Sequence, residues 1–144
     1  MPITDKLSIV SCQKTDIEVI VKGINAYNLE HVPAMADVWA PIELAMKNEG
    51  GEVIAGVLSG IGYWNGLEIK VLWVEEEYRR KGIGSRLLQH LEDIAKGRGA
   101  TIAMLDTFDF QAEAFYLKND YEKVGEIKNF PTGHRRIYFS KRLV

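Results

Sequence analysis

Apolar and polar residues alternate from residue 38 to residue 74, and the alternation stops where a run of three acids meets a run of three bases. Successive side chains of a strand point to opposite sides of a sheet. Val38, Ala40, Ile42, Leu44 and Met46 therefore share one face of an extended segment. Val53, Ala55, Val57, Ile61 and Tyr63 repeat the pattern over 52–64, and a third strand is expected over 67–74. Gly50-Gly51 and Asn65-Gly66 lie between these segments, the second being a strong hairpin signal. Three strands joined by tight turns predict an antiparallel meander. Pro41 has no N–H to give to a ladder, so the first of these strands is irregular or near an edge.

Beyond residue 74 the period changes. Ile83, Leu87, Leu91 and Ile94 recur at helical spacing, with Gly97 and Gly99 closing the helix. A short apolar strand is expected over 101–106. A strand, helix, strand series predicts a parallel pair with a crossover. A further helix over 111–119 and strands over 122–128 and 135–143 complete the chain. Ahead of the meander, a strand is expected over 6–12. A helix follows, opening at Thr15 or Asp16 and carrying Ile17, Val21, Ile24 and Tyr27, with Gly23 inside it. The fold class is α/β (α+β), a mixed, mostly antiparallel sheet with helices, in one domain over 1–144.

Composition narrows the function classes. The formal net charge is −2, which lacks the basic field of a nucleic-acid binder. No apolar run approaches the length of a membrane span, and residues 1–6 lack the apolar core of a secretion signal. Cys12 is the one cysteine, so no disulfide can close within the chain, and a cytoplasmic location is expected. Three scattered histidines and one cysteine do not form metal-ligand spacing, and no metal is expected.

The sharpest local feature is Arg79-Arg80-Lys81-Gly82-Ile83-Gly84-Ser85, between the apolar strand and the amphipathic helix. A helix N-terminus offers unpaired N–H groups and partial positive charge, and glycines let backbone approach an anion. A P-loop needs Gly-Lys-Ser/Thr after a four-residue spacer, which is absent. A dinucleotide fingerprint needs a third glycine where Leu87 stands, and its strand should run straight into the loop. Spacing alone leaves two readings: a phosphate or pyrophosphate cradle, or a helix start with two flexible glycines and a solvated charge run.

These residues resemble the GNAT superfamily of N-acetyltransferases, whose loop reads Arg/Gln-x-x-Gly-x-Gly/Ala. Arg79, Gly82 and Gly84 match it, with Leu72-Trp73-Val74 before the loop and Leu87-Leu88 after it. A small bacterial subgroup also shows Leu105-Asp106-Thr107-Phe108, Gln111-Ala112 and Phe115-Tyr116. The resemblance covers almost the whole chain. It implies a sheet of about seven strands with about four helices, and acetyl-CoA as co-substrate.

It also implies residue roles. A bulge in the region of Leu72, Trp73 and Val74 would present backbone donors to the pantetheine arm and the thioester oxygen. Arg79, Arg80, Lys81, Gly82, Ile83, Gly84 and Ser85 would hold the pyrophosphate. Tyr116 would protonate the departing thiolate, although an apolar helix face of Ala112, Phe115 and Tyr116 is equally the pattern of a core. Asp120 stands where the family usually has glycine, and aspartate tolerates a left-handed turn. Glu68 is a candidate base for the incoming ammonium, its face expected to include positions 70, 72 and 74; Glu43 and Asp106 are others, with His31 and His134 weaker. Tyr27, His31, Trp39, Phe108, Phe110 and Phe130 are candidate acceptor walls. The expected acceptor is a small-molecule primary amine. A peptide acceptor or a non-catalytic acyl-CoA-binding module are the alternatives. No nucleic-acid or membrane partner is expected. Dimers are common in the family, and the final strands could pair two copies.

Overall fold

The computed structural model describes residues 6–144. The expectation that residues 1–6 form no secretion signal therefore falls almost entirely outside the described residues. Two compact units emerge, Met1–Ala34 and Met35–Val144.

In the first unit, residues 7–13 carry no regular secondary structure. This corrects the strand expected over 6–12. Leu7, Ile9 and Val10 stay exposed, and without a ladder partner a short extended segment is not stable as a strand. Helix α1 runs Lys14–His31 with Gln13 as its N-cap. Asp16 does not cap it; its carboxylate accepts the Gln13 N–H at 2.8 Å from the third helical position, half of a capping box.

The second unit is a six-stranded sheet in the order β1-β2-β3-β4-β6-β5. Strands β1 (Trp39–Lys47), β2 (Val53–Gly62) and β3 (Gly66–Val74) form the expected antiparallel meander. Asn65 takes the left-handed turn at φ 60°. β1 is an edge strand, as Pro41 required. Helix α2 (Ile83–Gly97) crosses over to β4 (Ile102–Phe108), which runs parallel to β3. Helix α3 (Glu113–Lys118) is shorter than its sequence pattern suggested. The chain closes with β5 (Glu122–Lys128) and β6 (Arg135–Arg142), β6 lying antiparallel between β4 and β5. Among the described residues there are six strands and three α-helices, where about seven and about four were expected.

The core lies between this sheet and α2. Leu87, Leu88, Leu91 and Ala95 meet Val57, Leu67, Ile69, Ala103, Ile137 and Phe139. Among the described residues one charged side chain is fully inside: Glu92, 1% exposed. Its Oε1 takes Lys141 Nζ at 2.7 Å and its Oε2 takes the Tyr121 hydroxyl at 2.9 Å. Helical periodicity predicted the neighbours of Glu92 as buried, but nothing local in the sequence told that an acid would join them.

Candidate functional site

The loop between β3 and α2 is tied down before it turns. After Val74 a single 3₁₀ turn, Glu76–Tyr78, reverses the chain. Arg79 then folds back, its Nε donating to the Val74 carbonyl at 2.8 Å. Arg80 and Gly82 are both left-handed, at φ 64° and 76°. A non-glycine residue there costs about 1–2 kcal/mol, and such strain tends to sit at functional turns. Gly82 is the N-cap of α2. It supplies no side-chain cap, and the first turn contains no acid. The first closing amide is that of Arg86, to the Gly82 carbonyl at 3.0 Å. The amides of residues 83–85 are left without intrahelical acceptors, the arrangement that attracts anions.

These amides border a cavity of about 480 Å³. Leu72 and Val74 line it from β3, Arg80 and Ser85 from the loop and α2, and Phe115 and Lys118 from α3. A Cβ on Gly84 would lie 3.1 Å from the Phe115 ring and 3.6 Å from Val74. Gly84 is thus required by close approach, whereas a Cβ on Gly82 would meet nothing within 4 Å and the requirement there is conformational. Of the residues predicted for a cofactor, Leu72, Val74, Arg79, Arg80, Gly82, Ile83, Gly84 and Ser85 line this cavity. Trp73 and Lys81 do not. Trp73 is half-exposed on the opposite face of the sheet, and the Lys81 ammonium sits 5.9 Å above the Tyr78 ring. The Ser85 hydroxyl accepts from Asn119 Nδ2 at 3.1 Å, joining the start of α2 to the end of α3. Sequence reasoning missed Asn119 and Lys118; neither carries a local signal, because only the packing of α3 beside the loop makes them relevant.

A bulge does occur in β3, but at Lys70 rather than at residues 72–74. The register moves from Ile69 opposite Ser59 to Val71 opposite Leu58. One extra residue exchanges the two faces of a strand. Leu67 and Ile69 point into the core before it, and Leu72 and Val74 after it. Glu68 therefore shares its face with Val71 and Trp73, not with 72 and 74. The strict alternation assumed for this strand concealed the exchange.

Just beyond Glu68, β3 and β4 part. They pair only over Gly66–Glu68 and Ile102–Met104, while β3 continues against β2 and β4 against β6. A cavity of about 190 Å³ fills the wedge between them, bordered by Leu72, Leu105, Ala112 and Tyr116. It shares Leu72 and Ala112 with the larger cavity. Tyr116 is 5% exposed and packs against Phe115, Tyr121 and Phe139 at ring separations of 5.1, 5.6 and 5.9 Å. Burial pushes its phenol up to about 12, because the phenolate is disfavoured away from water. The apolar-face pattern and the cavity position both apply to this residue: its ring is core, and its side chain also borders the wedge.

On the other face of the sheet, Glu68, Lys70, Asp106, Arg136 and Tyr138 line an open groove of about 670 Å³. Groove and wedge cavity share Ile69, Lys70, Leu105 and Asp106, so they adjoin where the strands part. Glu68 lies 3.9 Å from Lys70. Asp106 is held at 2.9 Å by Arg136. Among the suggested aromatic walls, Phe108 stacks on Phe110 and touches Phe130, at 5.3 and 5.9 Å. Trp39 lies 5.5 Å from the Lys70 ammonium. Tyr27 and His31 belong to α1, where His31 Nδ1 lies 2.9 Å from the Tyr27 carbonyl oxygen. His134 pairs with Asp109 at 3.0 Å. Asp120 takes the left-handed conformation, φ 69°, as read from its place in the glycine position.

The chain was compared with known proteins. Blasticidin-S acetyltransferase of Streptomyces morookaense is 37% identical over 86 residues, 59% of this chain and 62% of that protein. The chain thus spans about three-fifths of that relative's length. The crystal structure of an acetyltransferase from Bacillus cereus ATCC 14579 superposes with a TM-score of 0.87 at 34% identity, covering 94% of this chain and 97% of that one. A structure from Agrobacterium tumefaciens, described as an acetyltransferase, gives 0.79 at 25% identity, with 94% and 96% covered. Residues 20–121 match the model of the acetyltransferase (GNAT) family, and the chain belongs to that family.

Proposed function

We propose that this protein transfers the acetyl group of acetyl-CoA to the primary amine of a small molecule, by direct attack in a ternary complex. The observation that carries the reading is the wedge between β3 and β4. Its cavity shares lining residues with the loop cavity on one side and with the acid-bearing groove on the other. The pyrophosphate would lie at the amides of residues 80–85, with Arg79 and Arg80 nearby. Lys81 would add charge at longer range. The arm would run along Leu72 and Val74 into the wedge, and the backbone N–H groups of Leu72 and Val74, on the edge that has left β4, would face it. The N–H of Trp73 alternates to the β2 side, as does that of Glu75, which donates to the Ile54 carbonyl. The groove has the size of a small-molecule site, and the Streptomyces relative is named for acting on a small molecule, blasticidin S.

In the reaction the amine nitrogen attacks the thioester carbonyl, the C–N bond forms and the C–S bond breaks. Glu68 would take the ammonium proton before attack, directly or through water. The direction of the Tyr116 shift refines its role. Burial holds the phenol above an ordinary tyrosine, so surrendering its proton fully is less favourable than donating a hydrogen bond. Tyr116 therefore acts as a hydrogen-bond donor to the developing thiolate, and the proton that the thiol finally keeps comes from the attacking amine.

Tyr116→Phe is expected to lower kcat by about 10- to 100-fold, with the Kd for acetyl-CoA within about twofold of wild type. Equal turnover of the two proteins would return Tyr116 to a purely structural role. The pH dependence follows from the sign of the shift. The donor form is the protonated phenol, and a raised pKa keeps it protonated until pH approaches 12. The wild-type to Tyr116→Phe ratio of kcat is thus expected to stay flat from pH 8 to about pH 10.5. A ratio that collapses with a midpoint near 10 would show an ordinary, solvated phenol. The direct test of the whole reading is acetyl-CoA-dependent thiol release across a panel of amines.

A further inference from the structure

We infer that the acceptor is a zwitterion of the amino-acid class, an amine carrying a carboxylate a few bonds away, with Arg136 as the residue that selects it. This rests on the groove being the acceptor site.

A groove for a simple amine or polyamine needs acids. This one also holds cations: Lys70 and Arg136 stand beside Glu68 and Asp106. Lys70 is largely solvated and lies over Trp39. Arg136 is different. Its guanidinium is held against Phe108 and Tyr138, at 5.9 and 5.6 Å from the ring centroids, and it is about one-third exposed to the groove.

Its hydrogen bonding is incomplete. Nε and Nη2 both lie 2.9 Å from the same atom, Oδ1 of Asp106. A guanidinium has five N–H donors in a planar fork shaped to grip two oxygens at once. Here one oxygen receives both contacts, and the remaining donors have no acceptor among the described residues. A ligand carboxylate would complete that fork with charge-assisted bonds.

The two charge subsites adjoin. An anion on Arg136 and an ammonium at Asp106 would be neighbours, because those side chains already touch. Asp106 also borders the wedge cavity, so the amine end would lie toward the reacting carbonyl and the carboxylate end away from it. The two acids and two cations of the groove balance, so a ligand lacking the carboxylate would add an uncompensated positive charge beside Arg136, which is repulsive.

The test uses matched pairs that differ only by the carboxylate: tyrosine and tyramine, phenylalanine and phenethylamine, lysine and cadaverine. Thiol release from acetyl-CoA gives kcat/KM for each. For at least one pair, the amino acid is expected to exceed its amine by about tenfold or more. Arg136→Gln is expected to bring that ratio toward one, through KM for the amino acid, with no change in KM for acetyl-CoA. Should this variant fail to fold, the wild-type ratios still decide. Equal or better use of the decarboxylated amines overturns the inference, as does release from other amines but from neither member of any pair. No release from any amine, with acetyl-CoA bound by calorimetry, would instead overturn the transferase reading on which the inference rests.

Discussion

Replacing Gly82 by aspartate is expected to weaken acetyl-CoA binding by about a hundredfold or more, roughly 3 kcal/mol. Gly82 is the left-handed N-cap of α2. It stands directly before the free amides of residues 83–85 and opens into the loop cavity. There is room for a side chain, since an added Cβ meets nothing within 4 Å. The variant is therefore expected to fold. Its penalty in the free protein is the left-handed backbone, which aspartate tolerates better than most residues. The loss comes on binding, when a fixed carboxylate faces the pyrophosphate. At about 5 Å, each pair of like charges costs about 1–3 kcal/mol for effective dielectric constants between those of water and a protein surface. Gly82→Ala separates the two effects, because it carries the backbone cost without the charge. Calorimetry should show a small loss for alanine and a large one for aspartate. Wild-type affinity in the aspartate variant would mean that the loop is a helix start and no phosphate site.

Lys141→Met is expected to destabilise the fold by about 3–5 kcal/mol, seen as a much lower midpoint in denaturant unfolding. Lys141 is the one cation on the buried Glu92 carboxylate among the described residues. It also donates to the Asn119 carbonyl at 3.2 Å. Removing it leaves a fully buried charge with only the Tyr121 hydroxyl for company. That hydroxyl is itself held strongly protonated by burial and by Glu92. Replacing Glu92 and Lys141 together by leucine and methionine is expected to recover most of the loss, since a buried pair exchanged for apolar groups is often nearly neutral. The network reaches the site through Asn119, which bonds Ser85 at the start of α2. The single variant is expected to bind acetyl-CoA less tightly as well. Lys141→Met at wild-type stability would show that Glu92 is reached by water.

Most of the architecture was legible because it is written in local periodicities. Alternation showed which residues of β1 and most of β2 face inward, although Val53 is exposed and Ile54 buried where the register shifts at the start of β2. Asn65-Gly66 located the hairpin, and β5 was delimited to its end residues. Three failures have physical causes. The strand expected over 6–12 is absent, because a strand exists only with a partner. The bulge at Lys70 inverts the faces of β3, and a bulge is a property of a strand pair that one strand's sequence does not display. Glu92 looks like any solvent-facing acid on a helix until β6 brings Lys141 beside it.

The loop shows the same division at the site. Arg79 to Ser85, as residues, declared a helix start able to hold an anion, and the pattern with Leu72-Trp73-Val74 and Phe115-Tyr116 pointed to the family. These are short-range facts, carried by backbone conformation and side-chain type. What only the tertiary structure decided is which residues meet around the wedge. Two strands must part after Glu68 and Met104 before Leu72, Tyr116 and Asp106 can border one cavity. α3 must pack on Gly84 before Phe115 can close the loop cavity. Arg136 becomes a candidate selector only when β6 lays it against Asp106, thirty residues away in the chain. Such proximities depend on strand register and packing between distant segments, and no local pattern encodes them.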